Sequence, residues 1–175
     1  LWTGEHVTYH GEHFSLEDVS FGFRPHQRPG IPILLASHSG KGTDPQYRRA
    51  ARLANGMIAI TDSPQEFGRV REQVLREVLA LGGNPHRFPA VYYMTVNLNR
   101  NVEAARQEAT AWITRYYGAD YWGERWGPYG TPAAVADRIR QYADAGAEEV
   151  IIRFASHDQV GQLDLLAREV LPALK

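Results

Sequence analysis

The sequence contains no cysteine. That excludes a disulfide framework, a thiolate metal site and a cysteine nucleophile, and it suits a cytoplasmic protein. An excess of one charge sign is also missing. The formal net charge is −1, which gives no electrostatic footprint for nucleic acid or for an anionic membrane surface. No apolar run reaches transmembrane length, no signal-peptide pattern is present and no N-x-[ST] sequon occurs. Three fingerprints fail as well. Gly40-Lys41-Gly42-Thr43 imitates the end of a P-loop, but Ala36 stands where the first glycine is required. Neither a dinucleotide G-x-G-x-x-G nor a G-x-S-x-G elbow occurs, and Ser156-His157-Asp158 is no triad because consecutive side chains diverge. The chain opens on Leu1-Trp2 rather than Met, which reads as a piece of something longer.

What is present is enough for one sizeable core: 175 residues, 43% of them hydrophobic, with a single domain over 1–175 as the expectation. The chain is organised around residues 31–42. There Ile33-Leu34-Leu35-Ala36 passes abruptly into Ser37-His38-Ser39-Gly40-Lys41-Gly42. Four consecutive apolar residues before a glycine-rich polar loop read as a strand buried on both faces, as parallel strands under helices are. The loop then lies at that strand's carboxyl end, where α/β architectures gather their chemistry. Gly40 and Gly42 allow close backbone approach, and Ser37, Ser39, Thr43 and Lys41 offer donors suited to a phosphate.

Along the chain, residues 1–23 read as a hairpin whose arms, His6-Val7-Thr8-Tyr9 and His13-Phe14-Ser15-Leu16, flank a turn at Gly11-Glu12; the second arm continues toward Phe21-Gly22-Phe23. His6, His10 and His13 straddle that turn without a carboxylate fixed by spacing, so they read as solvated, and no metal site is expected. Asp44 as N-cap and Pro45 at the first position open a helix continuing through 46–54, closed by Asn55-Gly56 as a left-handed cap. Met57-Ile58-Ala59-Ile60-Thr61 is a second buried strand. Ser63, Pro64 and Glu66 open a helix in which Phe67, Val70, Val74, Val78 and Leu81 form one stripe. Residues 90–96 give a third strand and 102–117 a third helix. Gly130-Thr131-Pro132 starts a helix with Val135, Ile139 and Tyr142 on its apolar face, which Ala145-Gly146-Ala147 ends. The fourth strand is 149–154, covered by a final helix over 160–174. Four strand-plus-helix repeats with short connections imply parallel pairing and right-handed crossovers. An open four-stranded sheet and half of an eight-unit barrel both satisfy that pattern.

Several of these pieces, in this order and spacing, resemble the luciferase-like flavin monooxygenase superfamily, whose members use FMN or the deazaflavin F420 on a (β/α)8 TIM barrel. They are Leu1-Trp2-Thr3-Gly4-Glu5 leading into Val7-Thr8-Tyr9-His10-Gly11, the strand and loop over 32–42, Arg49-Ala50-Ala51-Arg52-Leu53-Ala54-Asn55-Gly56, and the stretch from Gly130-Thr131-Pro132 through Arg153-Phe154. The resemblance covers the family's carboxyl-terminal half. It implies an α/β fold comprising strands 5 to 8 of the barrel, with an N-terminal β-hairpin. It implies FMN, alternatively F420, held by its phosphate at Ser37, His38, Ser39 and Gly40, with Thr61, Thr95 and Asn97 near the same strand tips.

By the same resemblance, Arg153 matches an arginine that sulfonate-acting members place at the active site. Tyr93 stands where those members carry a histidine, and Val91 where they carry an arginine, which argues against sulfonate chemistry. Tyr93 remains a hydrogen-bond donor toward flavin or substrate, so Arg153 and Tyr93 are the catalytic candidates. Residues 116–129 concentrate Tyr116, Tyr117, Tyr121, Trp122, Trp126 and Tyr129 around Arg125. In the family this interval walls the substrate cavity, which makes Trp122, Arg125 and Trp126 substrate-binding candidates. The parent protein is then a flavin-dependent oxidoreductase acting on a small organic substrate, with or without O2. Its partner is either a second copy or the missing amino-terminal half-barrel. The competing expectation is a non-catalytic half-barrel that binds a phosphorylated ligand or self-associates through its two sheet edges.

Overall fold

The computed structural model of the chain describes residue 2, residues 5–121 and residues 123–175, which fall into two compact units, Leu1–Ile33 and Leu34–Lys175. The first unit carries an antiparallel hairpin of β1 (Val7–His10) and β2 (Ser15–Val19), with Tyr9 opposite Leu16 and His10 opposite Ser15. Beyond β2 the arm is no longer paired, and Phe21 and Phe23 stack on each other instead. The spacing argument missed carboxylates beside the histidines: His6 pairs with Asp18 at 2.9 Å and His10 with Glu17 at 3.4 Å, all four exposed. No group of three or more metal-ligating side chains gathers among the described residues.

The second unit is a parallel α/β layer. Its elements are β3 (Leu34–Ala36), α1 (Asp44–Leu53), β4 (Gly56–Ala59), α2 (Pro64–Ala80), β5 (Ala90–Leu98), α3 (Val102–Tyr117), β6 (Tyr129–Gly130), α4 (Pro132–Asp144), β7 (Glu149–Phe154) and α5 (Gln159–Leu165). Strands β3, β4, β5 and β7 lie side by side in that order and all run parallel. The short β6 joins the carboxyl-terminal end of β5, with Asn97 opposite Tyr129, beyond the point where β4 stops pairing. Among the described residues, no helix is long and apolar enough to cross a membrane.

Alternation along the strands sorts the two faces. Ala90, Tyr92, Met94 and Val96 of β5 point into the main core with Met57 and Ala59 of β4 and with Val150, Ile152 and Phe154 of β7. Helices α1, α2 and α4 cover that face through Ala50, Phe67, Val70, Val74, Val135 and Tyr142. Tyr93, Thr95, Asn97, Ile151 and Arg153 occupy the opposite face. The connection from β5 to β7 holds both helices that the sequence placed between its third and fourth strands. Of these, α4 packs on the core, whereas α3 packs elsewhere, in a second cluster of Ala109, Ile113, Trp126 and Ala155.

Local signals in the sequence specify most of the boundaries. Ser63 caps α2 in a reciprocal box: its hydroxyl accepts from the Glu66 amide while its own amide donates to Glu66 Oε2 at 2.7 Å. Two boundary readings are corrected. Thr43 rather than Asp44 is the N-cap of α1, so Asp44 and Pro45 are its first two helical residues. Asn55-Gly56 is no left-handed cap, because Ala54 is already extended and Gly56 begins β4. The glycine serves packing instead: a Cβ there would lie 2.6 Å from the Pro89 carbonyl oxygen. The final helix also departs from one regular element, passing from α5 into a π-turn at Leu166–Val170 and a 3₁₀ turn at Leu171–Leu174. Pro172 lacks an amide and its ring opposes the carbonyl four residues back, so the preceding turn widens.

Replacing Gly56 with alanine forces backbone apart between β4 and the approach to β5. The expected cost is about 1–3 kcal/mol, read as a lower urea midpoint at unchanged slope. An unchanged midpoint would show that the close approach is not a packing constraint.

Candidate active site at the carboxyl ends of the strands

The loop after β3 is gathered by a residue that the sequence reading passed over. Asp62, just beyond β4 and only 3% exposed, accepts from the Ser39 amide at 3.1 Å and the Ser39 hydroxyl at 3.0 Å through Oδ1. Its Oδ2 lies 3.3 Å from His38 Nδ1. From the other side, the hydroxyls of Tyr92 and Tyr142 lie 3.1 and 2.5 Å from the Asp62 carbonyl and 2.8 Å from each other, so their two protons are shared within this three-oxygen cluster. Burial pushes both phenols above their ordinary value, so they stay protonated as donors. The loop's outer turn is fixed by Tyr47, whose hydroxyl donates to the His38 carbonyl at 2.9 Å and meets Thr43 Oγ1 at 2.8 Å. Ser37 is fully buried, and among the described residues its Oγ has no partner.

These residues wall a cleft of about 430 Å³ lined by His38, Ser39, Ile60, Thr61, Asp62, Arg125 and Trp126. Thr61 holds φ at +68°, a conformation that a β-branched residue rarely adopts. Its carbonyl accepts from Arg125 Nε at 2.9 Å, and Arg125 reaches Glu66 Oε2 at 2.7 Å. Thus the proposed cofactor residues His38, Ser39 and Thr61 meet the proposed substrate residues Arg125 and Trp126 in one cleft. Ser37 lies buried at the end of β3. Gly40, at φ +152°, and Gly42, at φ +72°, have almost no side-chain neighbours where a Cβ would stand. Trp122 lies outside the described residues.

Arg153 sits on the strand face opposite the main core, where Thr95 of β5 is its register partner. Its Nε and one terminal nitrogen donate to Thr95 Oγ1 at 3.1 and 2.8 Å, and the other terminal nitrogen donates to the Tyr117 hydroxyl at 2.6 Å. Four rings surround the guanidinium, with centroids at 4.8 Å for Trp126, 5.3 Å for Tyr93, and 5.5 Å for both Trp112 and Tyr117. Both catalytic candidates therefore belong to a cation–π assembly that ties α3 to the sheet. A polar group completes the tie. Glu108 of α3 accepts from Asn97 at 2.9 Å and from the Ser156 hydroxyl at 2.6 Å. Burial alone would raise Glu108, but the hydrogen bonds from Ser156, Asn97 and the His157 amide outweigh it and hold the carboxyl below its ordinary value. Glu66 is also lowered, first by the Ser63 amide. Asp62 and Glu108 were legible only as acidic residues; their neighbours come from separate strands, which spacing along one segment does not reveal.

The model of the luciferase-like monooxygenase family matches residues 1–129. The chain belongs to this family. Among curated relatives, the F420-dependent glucose-6-phosphate dehydrogenase of Microbacterium testaceum is 27% identical, over 100% of this chain and 57% of the relative. The 5,10-methylenetetrahydromethanopterin reductase of Archaeoglobus fulgidus is 21% identical, over 100% of this chain and 63% of the relative. Two solved structures share the fold. An F420-dependent secondary alcohol dehydrogenase in complex with an F420–acetone adduct aligns with TM-score 0.77 at 14% identity, covering 100% of this chain and 58% of its own. A monooxygenase from Streptomyces bottropensis aligns with TM-score 0.72 at 20% identity, covering 99% and 57%. The chain therefore spans a little over half the length of these relatives. Its parallel unit is half of a TIM barrel, and the face bearing Tyr93, Thr95 and Arg153 is the barrel's inner face. The family is one of luciferase-like oxidoreductases that includes both F420-dependent enzymes and flavin monooxygenases.

Two measurements test this site. Replacing Arg153 with methionine removes three hydrogen bonds and the cation from its rings, so stability should fall by roughly 1–3 kcal/mol with a change in tryptophan emission. Unaltered emission would show that the rings do not depend on it. For Glu108, whose folded-state pKa is depressed, the stabilisation is complete above the unfolded value of 4.5 and disappears as pH falls through the lower folded value. Glu108→Gln should therefore be less stable than the parent at neutral pH, and the gap should close on acidification. A gap that stays constant would refute the assignment.

Proposed function

We propose that the chain forms the carboxyl-terminal side of the active site of an F420-dependent oxidoreductase acting on a small organic substrate. The observation that carries this reading is the joint cleft: strand-tip residues from β3 and β4 face Arg125 and Trp126 across a volume within the range of small-molecule sites. The curated relatives named as F420-dependent glucose-6-phosphate dehydrogenases favour the deazaflavin over FMN.

The residues present fit the cofactor's anionic part. Ser37 offers a buried hydroxyl without a partner, and the backbone at Gly40 and Gly42 is open to close approach. Lys41 supplies the positive charge. Ser39 is assigned a supporting role, because its amide and hydroxyl are engaged by Asp62. When bound, the deazaflavin supplies hydride chemistry. The chain's own residues bind and orient: the glycine loop takes the anionic end, Thr61 and His38 border the cleft, and Trp126 with the α3 aromatics excludes water. Arg125, already neutralised by Glu66, shapes the substrate side rather than presenting an isolated charge.

The same reading assigns the missing partner surface to the inner face and to the outer edges of β3 and β7, each of which pairs on one side only among the described residues. Leu34, Ile58, Tyr93 and Ile151 on that face are half-buried within this chain, as residues awaiting a second half-barrel would be. The partner is accordingly an amino-terminal half-barrel, or a second copy where that half is absent.

Titration of the purified chain with F420 and with FMN tests both points. F420 should bind more tightly, but weakly in absolute terms, with a dissociation constant on the order of 0.1–1 mM because half of a site leaves much of the ring solvated. Lys41→Ala should weaken it by about tenfold. Nanomolar binding by a monomer in sedimentation, or equal binding by the lysine variant, would contradict the half-site assignment.

A further inference from the structure

Asp62 anchors the loop after β3 through Ser39 on Oδ1, and its second oxygen, Oδ2, is left to meet the His38 ring. The Asp62 carboxylate is almost completely buried and collects three donors, two from Ser39 and one from His38 Nδ1. The imidazole is about one-third exposed, lines the cleft beside Thr61 and Arg125, and is held by its backbone on both sides. The His38 amide donates to Gln46 Oε1 at 3.3 Å and its carbonyl accepts from Tyr47. A carboxylate on Nδ1 fixes the proton there, which leaves Nε2 as a lone-pair acceptor. Among the described residues Nε2 has no partner.

We propose that His38 is a proton acceptor for a hydroxyl-bearing ligand in this cleft, with Asp62 as its positioning residue. The proposal deepens the oxidoreductase reading by naming the substrate class at the same site, and it rests on that reading for the later fate of the ligand. The step is a proton transfer alone. The ligand's O–H bond breaks, an N–H bond forms at Nε2, the electron pair stays on the ligand oxygen, and the positive imidazole is stabilised by the carboxylate at Nδ1. Ser39 keeps the carboxylate from rotating, since its amide and hydroxyl both hold Oδ1 while Oδ2 meets the ring. A fixed acceptor also discriminates: a hydroxyl at this position gains a hydrogen bond, whereas an ether or a methyl group leaves Nε2 desolvated and unpaired.

The experiment uses the 175-residue chain without any cofactor, so its outcome is separable from flavin binding. Nitrogen-15 imidazole spectra should show His38 as the Nδ1–H tautomer with an unprotonated Nε2. Asp62→Asn, which can present its amide as a donor, should convert the ring to Nε2–H, while Ser39→Ala should leave the tautomer unchanged. Acylation of His38 by diethyl pyrocarbonate, located by peptide mapping, should fall by about tenfold in Asp62→Asn, the ratio that one charge-assisted hydrogen bond sustains. Glycerol, added as a hydroxyl probe, should move the His38 Nε2 signal more than those of the exposed His6 and His10. An Nε2–H tautomer in the parent chain, an unchanged tautomer in Asp62→Asn, or a His38 signal that moves no more than the hairpin histidines would each overturn the proposal. Should the tautomer results hold while F420 fails to bind, the cofactor assignment falls and the acceptor stands.

Discussion

Asp62 is gripped at both ends. Its side chain holds the loop that follows β3, and its carbonyl holds two tyrosines rooted in β5 and α4. Four elements of the half-barrel, β3, β4, β5 and α4, are therefore tied at one residue, and the tie is buried, where competing water is scarce and hydrogen bonds are strengthened. The stacked Tyr92 and Tyr142 rings, 3.6 Å apart, pass that constraint to the main core through Phe67. The cleft wall is thus tied directly to the core beneath it, although its residues come from loops.

The other rim is organised by a cation. Arg153 reaches α3 through Trp112 and Tyr117, and the β5 side through Thr95 and Tyr93. Glu108 makes the matching polar connection to the tips of β5 and β7. Helix α3 is consequently held over the strand ends by one guanidinium and one carboxylate that do not touch each other. This accounts for an amphipathic helix that lies outside the principal core: its apolar face has a private partner in Trp126 and Ala155.

The strands and most of the helices were legible because their signals are local. Buried apolar runs at β4 and β5, proline at helix starts and the Ser63–Glu66 box all act within a few residues, and the fold honours them; the run at β3 is not buried on both faces, because among the described residues β3 pairs with β4 alone and leaves Ile33 and Ala36 exposed. Gly56 was misread because the same residue type serves two ends, a helix cap or a close backbone approach, and only the Pro89 carbonyl distinguishes them. Helix α3 was placed correctly in sequence, but its partner was not legible, since amphipathicity reports that a face is buried but not against what. The polar loop was recognised, and His38, Ser39, Thr61, Arg125 and Trp126 do meet in one cleft. The competition of Asp62 for the loop's donors could not be foreseen, because that carboxylate arrives from the next strand, 23 residues away.

Thr61 carries a wider implication. A threonine with left-handed backbone is an uphill choice that the fold sustains by engaging its carbonyl with Arg125. Glycine or asparagine would relax that residue, so drift toward greater thermal robustness has an easy path here. That path frees the connection between β4 and α2, and with it the distance separating the imidazole wall from the guanidinium wall. Stability and shape of the binding mouth are opposed at this single peptide unit.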